Sequence, residues 1–371
     1  MDLDLPNDIR SRLGKLPEGL KKAYDEVYET IQAQKGSKPD IADRAFQWIM
    51  CSFRPLSPEE LVAVVCQDPD NDELEDVHIN IYVVLSACQN LLDVDENGHV
   101  CRFAHLSVQE YFEEHHWNSS QTNGLVAKAC LLFLNHPDYW KKKSSIIWQY
   151  GRFQRGTHNK EPPQDHQPSN ILQYARNYWP THVQRHDAIP ADDRLSTLLK
   201  LFLGSMNESV PAYQSWYRML EGEQEAADNL LCLYRSELRP STIASLAICM
   251  FGFYNVLPGW WELGFTNVEQ RNAKGQSLIA LAAVGGSYAV VNRLLSKGAD
   301  VNAQGGYYGN AFQAASLRGH EKIVELLLSK GADVNAQGDY YSNALQAVSD
   351  GGHEKIVELL LKRGAVFQNK Q

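Results

Sequence analysis

No G-x-x-x-x-G-K-[ST] run occurs in these 371 residues, so the phosphate cradle of a P-loop is absent. Ala273-Lys274-Gly275-Gln276-Ser277 has similar letters without the spacing that wraps a phosphate. A G-x-S-x-G nucleophile elbow is missing too, which removes hydrolases of that design. The cysteines (Cys51, Cys66, Cys88, Cys101, Cys130, Cys232, Cys249) are odd in number and form no C-x-x-C pair. They read as reduced, buried thiols of an intracellular protein rather than a disulfide framework. Positive charge is scarce: 35 Lys and Arg stand against 45 Asp and Glu, a formal net charge of −10. General nucleic-acid binding needs a basic footprint, and the densest basic run is Lys141-Lys142-Lys143. Long apolar runs are also lacking. Ile243 to Trp261 comes nearest to a membrane span, and Ser245, Asn255, Pro258 and Gly259 interrupt it. Met1-Asp2-Leu3-Asp4-Leu5 is acidic and carries no basic-then-apolar leader. The expectation is a cytoplasmic protein, with the nucleus as the alternative, and no membrane span.

What is present is ordinary globular material, 44% hydrophobic and long enough for two or three domains. Leu16 to Gln34 spaces Leu20, Tyr24, Val27, Tyr28 and Ile31 as one helical face. Gly36-Ser37-Lys38-Pro39 breaks it, and Asp40 is placed to cap a second helix carrying Ile41, Ala45, Trp48 and Ile49. Arg54-Pro55-Leu56 closes that helix. Ser57-Pro58-Glu59-Glu60 predicts a capping box with proline at the first helical position. An acidic loop, 67–76, leads to a helix predicted over His78 to Leu92. Two strands, Leu91 to Val94 and His99 to Ala104, flank Asp95-Glu96-Asn97-Gly98, whose Asn-Gly pair signals a hairpin. Ser107-Val108-Gln109-Glu110 predicts a second capping box. Helix, helix, helix, hairpin, helix is a winged-helix-like order. Further on, Leu125 to Leu134, Leu195 to Leu203 and Tyr213 to Leu220 read as helices, and the proline-rich stretch 159–169 as a linker.

The last hundred residues copy themselves. Ser296-Lys297-Gly298-Ala299-Asp300-Val301-Asn302-Ala303-Gln304 returns unchanged at Ser329 to Gln337, and a broken copy follows at Lys362-Arg363-Gly364-Ala365-Val366. Gly298, Gly331 and Gly364 keep a 33-residue period, which means stacked supersecondary units rather than one closed core. The pattern resembles ankyrin repeats: Asn310 to Ser316 as inner helix, Gly319-His320 as turn, Glu321 to Leu328 as outer helix. Ser277 to Ala283 with Gly286, and Asn343 to Ser349 with Gly352-His353, are the flanking copies. Thr242 to Phe253, with Asn267-Val268 in register, reads as a degenerate first copy, making about four. Ala365-Val366-Phe367-Gln368 replaces the Ala-Asp-Val-Asn turn, and the array is expected to end there.

Candidate chemistry is thin. His105-Leu106-Ser107 suggests a Ser-His pair with Asp93 or Asp95 as orienter, but Ser107 is better placed to cap a helix. His182 and His186 share a helix face as zinc-binding pairs do, yet no glutamate follows His182 and no third ligand has a diagnostic spacing; capping or packing is favoured. His320 and His353 are expected to make local hydrogen bonds in their turns. No catalytic, cofactor or metal residue is predicted. Information can sit only at variable, exposed repeat positions: the pairs Tyr307-Tyr308 and Tyr340-Tyr341 at the turn tips, and Leu317, Arg318 and Asp350 at the inner-helix ends. The tyrosines either offer hot-spot area to a partner or pack on each other and stiffen the turn.

Upstream, Leu16-Pro17-x-Gly19-Leu20 with Tyr24, Trp48 with Arg54-Pro55-Leu56-Ser57 and Glu60-Leu61, and Arg102-Phe103-Ala104-His105-Leu106-Ser107-Val108-Gln109-Glu110-Tyr111-Phe112 resemble one region of fungal NACHT-ankyrin receptor-type proteins. Ile171 to His182 resembles the Y-A-x-x-x-W-x-x-H segment of the same family. The resemblance implies a winged helix downstream of an NTPase, relaying nucleotide state to a sensor, with the NTPase absent from this chain. It implies an intracellular, mainly α fold: a helical and winged-helix domain over 1–120, a helical connector over 121–240 and an ankyrin solenoid over 241–371. The expected function is a non-catalytic scaffold that needs no cofactor and binds a protein partner through the repeats. The alternative is the relay part of an NTP-driven receptor whose NTPase is missing or on another chain. DNA binding gains little, because the expected wing, Asp93 to Gly98, is acidic.

Overall fold

The computed structural model describes residues 18–72, 74–75, 79–95, 99–136, 171–187, 192–222, 235–264, 267–338 and 341–367. The expected linker at 159–169, Lys141-Lys142-Lys143, Cys232, the Glu96-Asn97-Gly98 turn and Tyr340 lie outside them. The chain divides into two units, 1–186 and 187–371. Both are built mainly of helices, and no helix among the described residues is long and apolar enough to cross a membrane.

In the first unit, α1 (Glu18–Gln32) and α2 (Lys38–Cys51) follow their amphipathic spacing, with Ile41, Ala45, Phe46 and Trp48 buried. The start of α2 corrects the expectation. Ser37, not Asp40, is its N-cap, and Pro39 lies in the first turn, where a missing N–H costs no helical bond. α3 (Pro58–Val65) has both arms of its capping box: Glu60 N donates to Ser57 Oγ at 3.2 Å and Ser57 N to Glu60 Oε2 at 3.1 Å. The same carboxylate receives two bonds from Arg54, at 2.6 and 2.8 Å. α4 (Ile81–Ala87) is shorter than predicted, because Gln89 and Asn90 turn left-handed (φ 49 and 60) and close it.

The hairpin forms as expected: β1 (Leu92–Asp95) and β2 (Val100–Phe103) pair antiparallel from Leu92↔Phe103 to Asp95↔Val100. Cys101 N also donates to Leu56 O at 2.8 Å, tying the hairpin to the turn before α3. α5 (Leu106–His115) corrects a second cap. His105 is the N-cap, its Nδ1 accepting from Ser107 N at 3.1 Å, so Ser107 falls inside the first turn and the box predicted there does not form. An imidazole nitrogen can accept as an asparagine oxygen does. Phe112 centres the core, stacked on Phe46 at 4.3 Å and edge-on to Tyr28 at 5.7 Å. α6 (Ser119–Asn135) and α7 (Ile171–His186) pack along each other behind it.

The second unit opens on α8 (Asp193–Leu203) and α9 (Pro211–Gly222), joined through Phe202, Tyr213 and Trp216. Asp187 is folded into this unit, its carboxylate receiving the backbone N–H groups of Tyr254 and Val256. A 3-10 turn (Arg235–Leu238) precedes α10 (Ala244–Phe251), whose every residue is buried. Helix pairs follow: α11 (Leu278–Gly285) with α12 (Tyr288–Ser296), α13 (Ala311–Leu317) with α14 (Glu321–Ser329), and α15 (Ala344–Asp350) with α16 (Glu354–Lys362). The inner helices α11, α13 and α15 stack on one another, α11 also against α10. Gly298, Gly331 and Gly364 (φ 91, 88 and 85) end the outer helices in a conformation that only glycine adopts cheaply.

Candidate binding surface at the repeat tips

Side chains repeated every 33 residues join one repeat to the next. Asn302 donates to Gly331 O at 3.2 Å and accepts from Asp333 N at 2.9 Å; Asn335 does the same with Gly364 O and Val366 N, both at 3.1 Å. Glu269 stands 33 residues before Asn302, and its carboxylate accepts from Asp300 N at 3.1 Å. His320 Nε2 meets Val284 O at 3.3 Å and His353 Nε2 meets Leu317 O at 3.0 Å. These are bonds to the preceding repeat, 36 residues upstream, rather than the local bonds expected. Each ring covers a glycine of that repeat: a Cβ on Gly286 or Gly319 would meet it at about 2.5 to 2.6 Å. Burial holds the His320 pKa below its ordinary value, while the bond that Nε2–H donates to Val284 O opposes the shift.

The tip between α12 and α13 closes on its own backbone bonds. Gly305 N donates to Gly309 O at 2.7 Å and Gly309 N to Gly306 O at 3.0 Å. Tyr307, at the apex, is 42% exposed. Its ring meets Tyr308 edge-on at 5.2 Å and Tyr341 of the next tip edge-on at 6.4 Å. Tyr308 corrects the expectation of two exposed pairs. It is only 9% exposed, with the Arg318 guanidinium 5.8 Å over its ring and donating to its hydroxyl at 3.0 Å. Tyr341 is half-buried and donates to Asp350 at 3.1 Å; burial, then that carboxylate, push its pKa up and keep the phenol protonated. Arg318 and Asp350 are exposed, Leu317 half-buried. Direct contacts therefore link Tyr307, Tyr308, Tyr341, Arg318 and Asp350, Leu317 precedes Arg318 with its carbonyl on His353, and Tyr340 is undescribed.

Arg271 was not foreseen. It stands 33 residues before Gln304 and donates to Gly275 O at 2.7 Å and Gln304 O at 2.5 Å, linking the first two tips on an exposed edge. Its signal was the period itself: in the column of Arg271, Gln304 and Gln337 it is the charged member.

The other candidates are used structurally. His105 Nδ1 and Tyr24 OH both lie 2.7 Å from Ser107 Oγ, but Ser107 is buried in a helix start and His105 caps that helix. His182 is fully buried, between Tyr174 OH at 2.8 Å and Asn123 Oδ1 at 2.7 Å, and burial pushes its pKa down to about 3. His186 bonds to Ser120 O at 2.9 Å. Among the described residues no three His, Cys, Asp or Glu are grouped to hold a metal ion. The six described cysteines are free, and burial raises their thiol pKa values, Cys66 to about 11 and Cys51 and Cys101 to about 12. Such thiols are poor nucleophiles.

The family described as Ankyrin repeats (3 copies) matches residues 247–339 and again 278–371. The repeats of the second unit are thus ankyrin repeats, and the match begins inside α10. Over 338 residues the chain is 27% identical to "Azaphilone pigments biosynthesis cluster protein L" of Monascus ruber, covering 85% of this chain. It spans 59% of that relative's length.

Proposed function

We propose that the chain is a non-catalytic interaction scaffold that binds a protein partner through its ankyrin repeats, with no cofactor. One observation carries the reading: Tyr307 presents its ring at a tip where Tyr308 and Tyr341 already hold it upright. An aromatic ordered before binding offers contact area at low entropic cost. Arg318, through Tyr308, and Asp350, through Tyr341, border it and with Leu317 supply selectivity. The test is the triple variant Tyr307→Ala, Tyr340→Ala, Tyr341→Ala, with buried Tyr308 retained. Cross-linking and pull-down should lose partners while the thermal melt is unchanged. Retention of every partner would sink the reading.

A second reading makes the chain the sensor or relay part of an NTP-driven signalling receptor whose NTPase is missing or on another chain. It is supported by the order of four helices, hairpin and helix over 18–115, and by the Arg54–Glu60 pair within the segment that resembles such receptors. The corresponding division is 1–120, 121–240 and 241–371. An in-frame G-x-x-x-x-G-K-[ST] upstream of Met1 in the transcript would favour it. A transcript without one, together with no NTPase co-purifying, would remove it.

A further inference from the structure

Glu321 to Leu328 of α14 and Glu354 to Leu361 of α16 are the same eight residues, yet they are buried differently. Ile323 and Ile356 match, as do Leu327 and Leu360: all four are buried, packing within their own repeats. Val324 is fully buried and Leu326 nearly so, whereas Val357 and Leu359 are only half-buried and Leu361 is 49% exposed. With sequence held constant, the difference is the neighbour. α16 lies against α14, Lys355 reaching Glu321 at 3.8 Å, and nothing among the described residues lies against α16 in the same way. A terminal repeat that closed the stack would carry a polar outer face. This one keeps an interior sequence.

The loop after α16 shows what kind of neighbour fits. Asp300 and Asp333 each accept from a backbone N–H at 2.9 Å, fixing the turn that hands Asn302 and Asn335 to the following repeat. Val366 occupies the third such position and cannot accept, so the joint for another in-line repeat is not built. Val366 and Phe367 instead add apolar surface, 53% and 66% exposed. At the other end of the stack α10 is buried along its whole length and offers no face for a head-to-tail contact. Along α16, Glu354 and Lys355 stand at the start, Glu358 at the middle, 3.8 Å from Lys362, and Lys362 and Arg363 at the end, so the first half is net acidic and the last turn basic. An antiparallel copy of the helix sets unlike charges opposite each other; a parallel one does not.

We propose that this end of the ankyrin stack pairs with the same end of a second copy of the chain, about a two-fold axis, with the two α16 helices antiparallel. The contact is isologous and closes at a dimer. Its core is Val357, Leu361, Val366 and Phe367, and its rim is Glu354, Glu358, Lys362 and Arg363. This surface is separate from the Tyr307 tip, so failure of partner binding there leaves it standing.

Sedimentation velocity of the full chain across the micromolar range tests it. The expected result is the mass of two 41.9 kDa chains. Leu361→Glu should raise the dissociation constant about tenfold or more, with the circular dichroism melt unchanged. Phe367→Ser gives the same reading should Leu361→Glu disturb folding. Glu358→Lys and Lys362→Glu should each weaken the dimer, and the double charge swap should restore it. A monomer throughout overturns the proposal, as does a dimer indifferent to Leu361→Glu and Phe367→Ser, or a folded double swap that fails to recover.

Discussion

The buried histidine of the first unit and the paired histidines of the repeats use the same ring in opposite ways. His182 belongs to a single chain of bonds: Phe53 N donates to Tyr174 OH, Tyr174 to His182 Nε2, His182 Nδ1 to Asn123 Oδ1, and Asn123 to Ser119 O. Its partners lie up to 121 residues apart in sequence, and the arrangement occurs once. His320 and His353 make one bond each to the neighbouring repeat, in the same register. The first unit is therefore specified by contacts with no substitute. The repeats are specified by nearest-neighbour contacts that recur, so losing one weakens a joint rather than the whole. Substitutions should spread widely in the first unit and stay local in the second.

The largest effect is expected at Arg54. Glu60 has a side chain only 1% exposed and receives both guanidinium bonds as well as its cap bond. Arg54→Ala leaves that carboxylate buried without its cation, which costs about 3–5 kcal/mol. Urea unfolding should show the loss in the whole first unit. A loss under about 1 kcal/mol would mean that water reaches Glu60 and that the unit is less closely specified than its bonds imply.

Next comes pH. The folded His182 pKa of about 3 lies below its unfolded value near 6.5. Between these values the unfolded chain binds a proton that the folded one does not, so stability is complete above about 6.5 and falls as pH falls. The slope approaches about 1.4 kcal/mol per pH unit, or roughly 2 kcal/mol between pH 6.5 and 4.5. Asp43 acts in the opposite sense, since burial raises its pKa to about 6 and the folded state holds its proton between about 4 and 6. The measurement is therefore the difference between wild type and His182→Gln, which should lose the His182 slope and keep that of Asp43. Parallel pH profiles would refute the assignment.

How much of this could be read in the sequence follows the same division. The 33-residue period gave the helix pairs, the left-handed glycines and the tip positions, because in a stack each structural need recurs at a fixed interval and shows as repetition. Ser57 and Glu60 were equally plain, since a capping box is a contact between residues three apart. The Tyr174–His182–Asn123 chain was not, for His182 and Asn123 are 59 residues apart and nothing local marks Asn123 as a partner. His105 was missed as a cap because histidine is uncommon there and Ser107 offered the commoner chemistry. Tyr308 reads as exposed because its pairing with Arg318 depends on where the chain folds back, which the nine intervening residues do not reveal.

In the repeats the expected costs are smaller and confined. His353→Ala removes one inter-repeat bond and should cost about 1 kcal/mol, seen as faster hydrogen exchange in α15 and α16 only. Gly319→Ala adds a Cβ at φ 75, about 2.5 Å from the His353 ring, and should cost about 1–2 kcal/mol from the backbone alone. The double variant should fall short of the sum, because removing the ring relieves the clash but not the backbone strain. Full additivity would show that the ring and the glycine do not meet in solution.

The smallest change in stability is expected where the functional change is largest. Tyr307 meets Tyr308 and Tyr341 edge-on, shares a side-chain hydrogen bond with Tyr341 and keeps much of its surface in water, so Tyr307→Ala should shift stability by about 0.5 kcal/mol or less. If the tip is a hot spot, the same substitution should weaken partner binding by about 2 kcal/mol or more, roughly thirtyfold. Tyr307→Phe separates the ring from its hydroxyl: retained affinity would assign the contact to area, lost affinity to a hydrogen bond. A stability loss comparable to that of His353→Ala would instead make Tyr307 a part of the joint between repeats, and the tips would then belong to the scaffold like the glycines and asparagines around them.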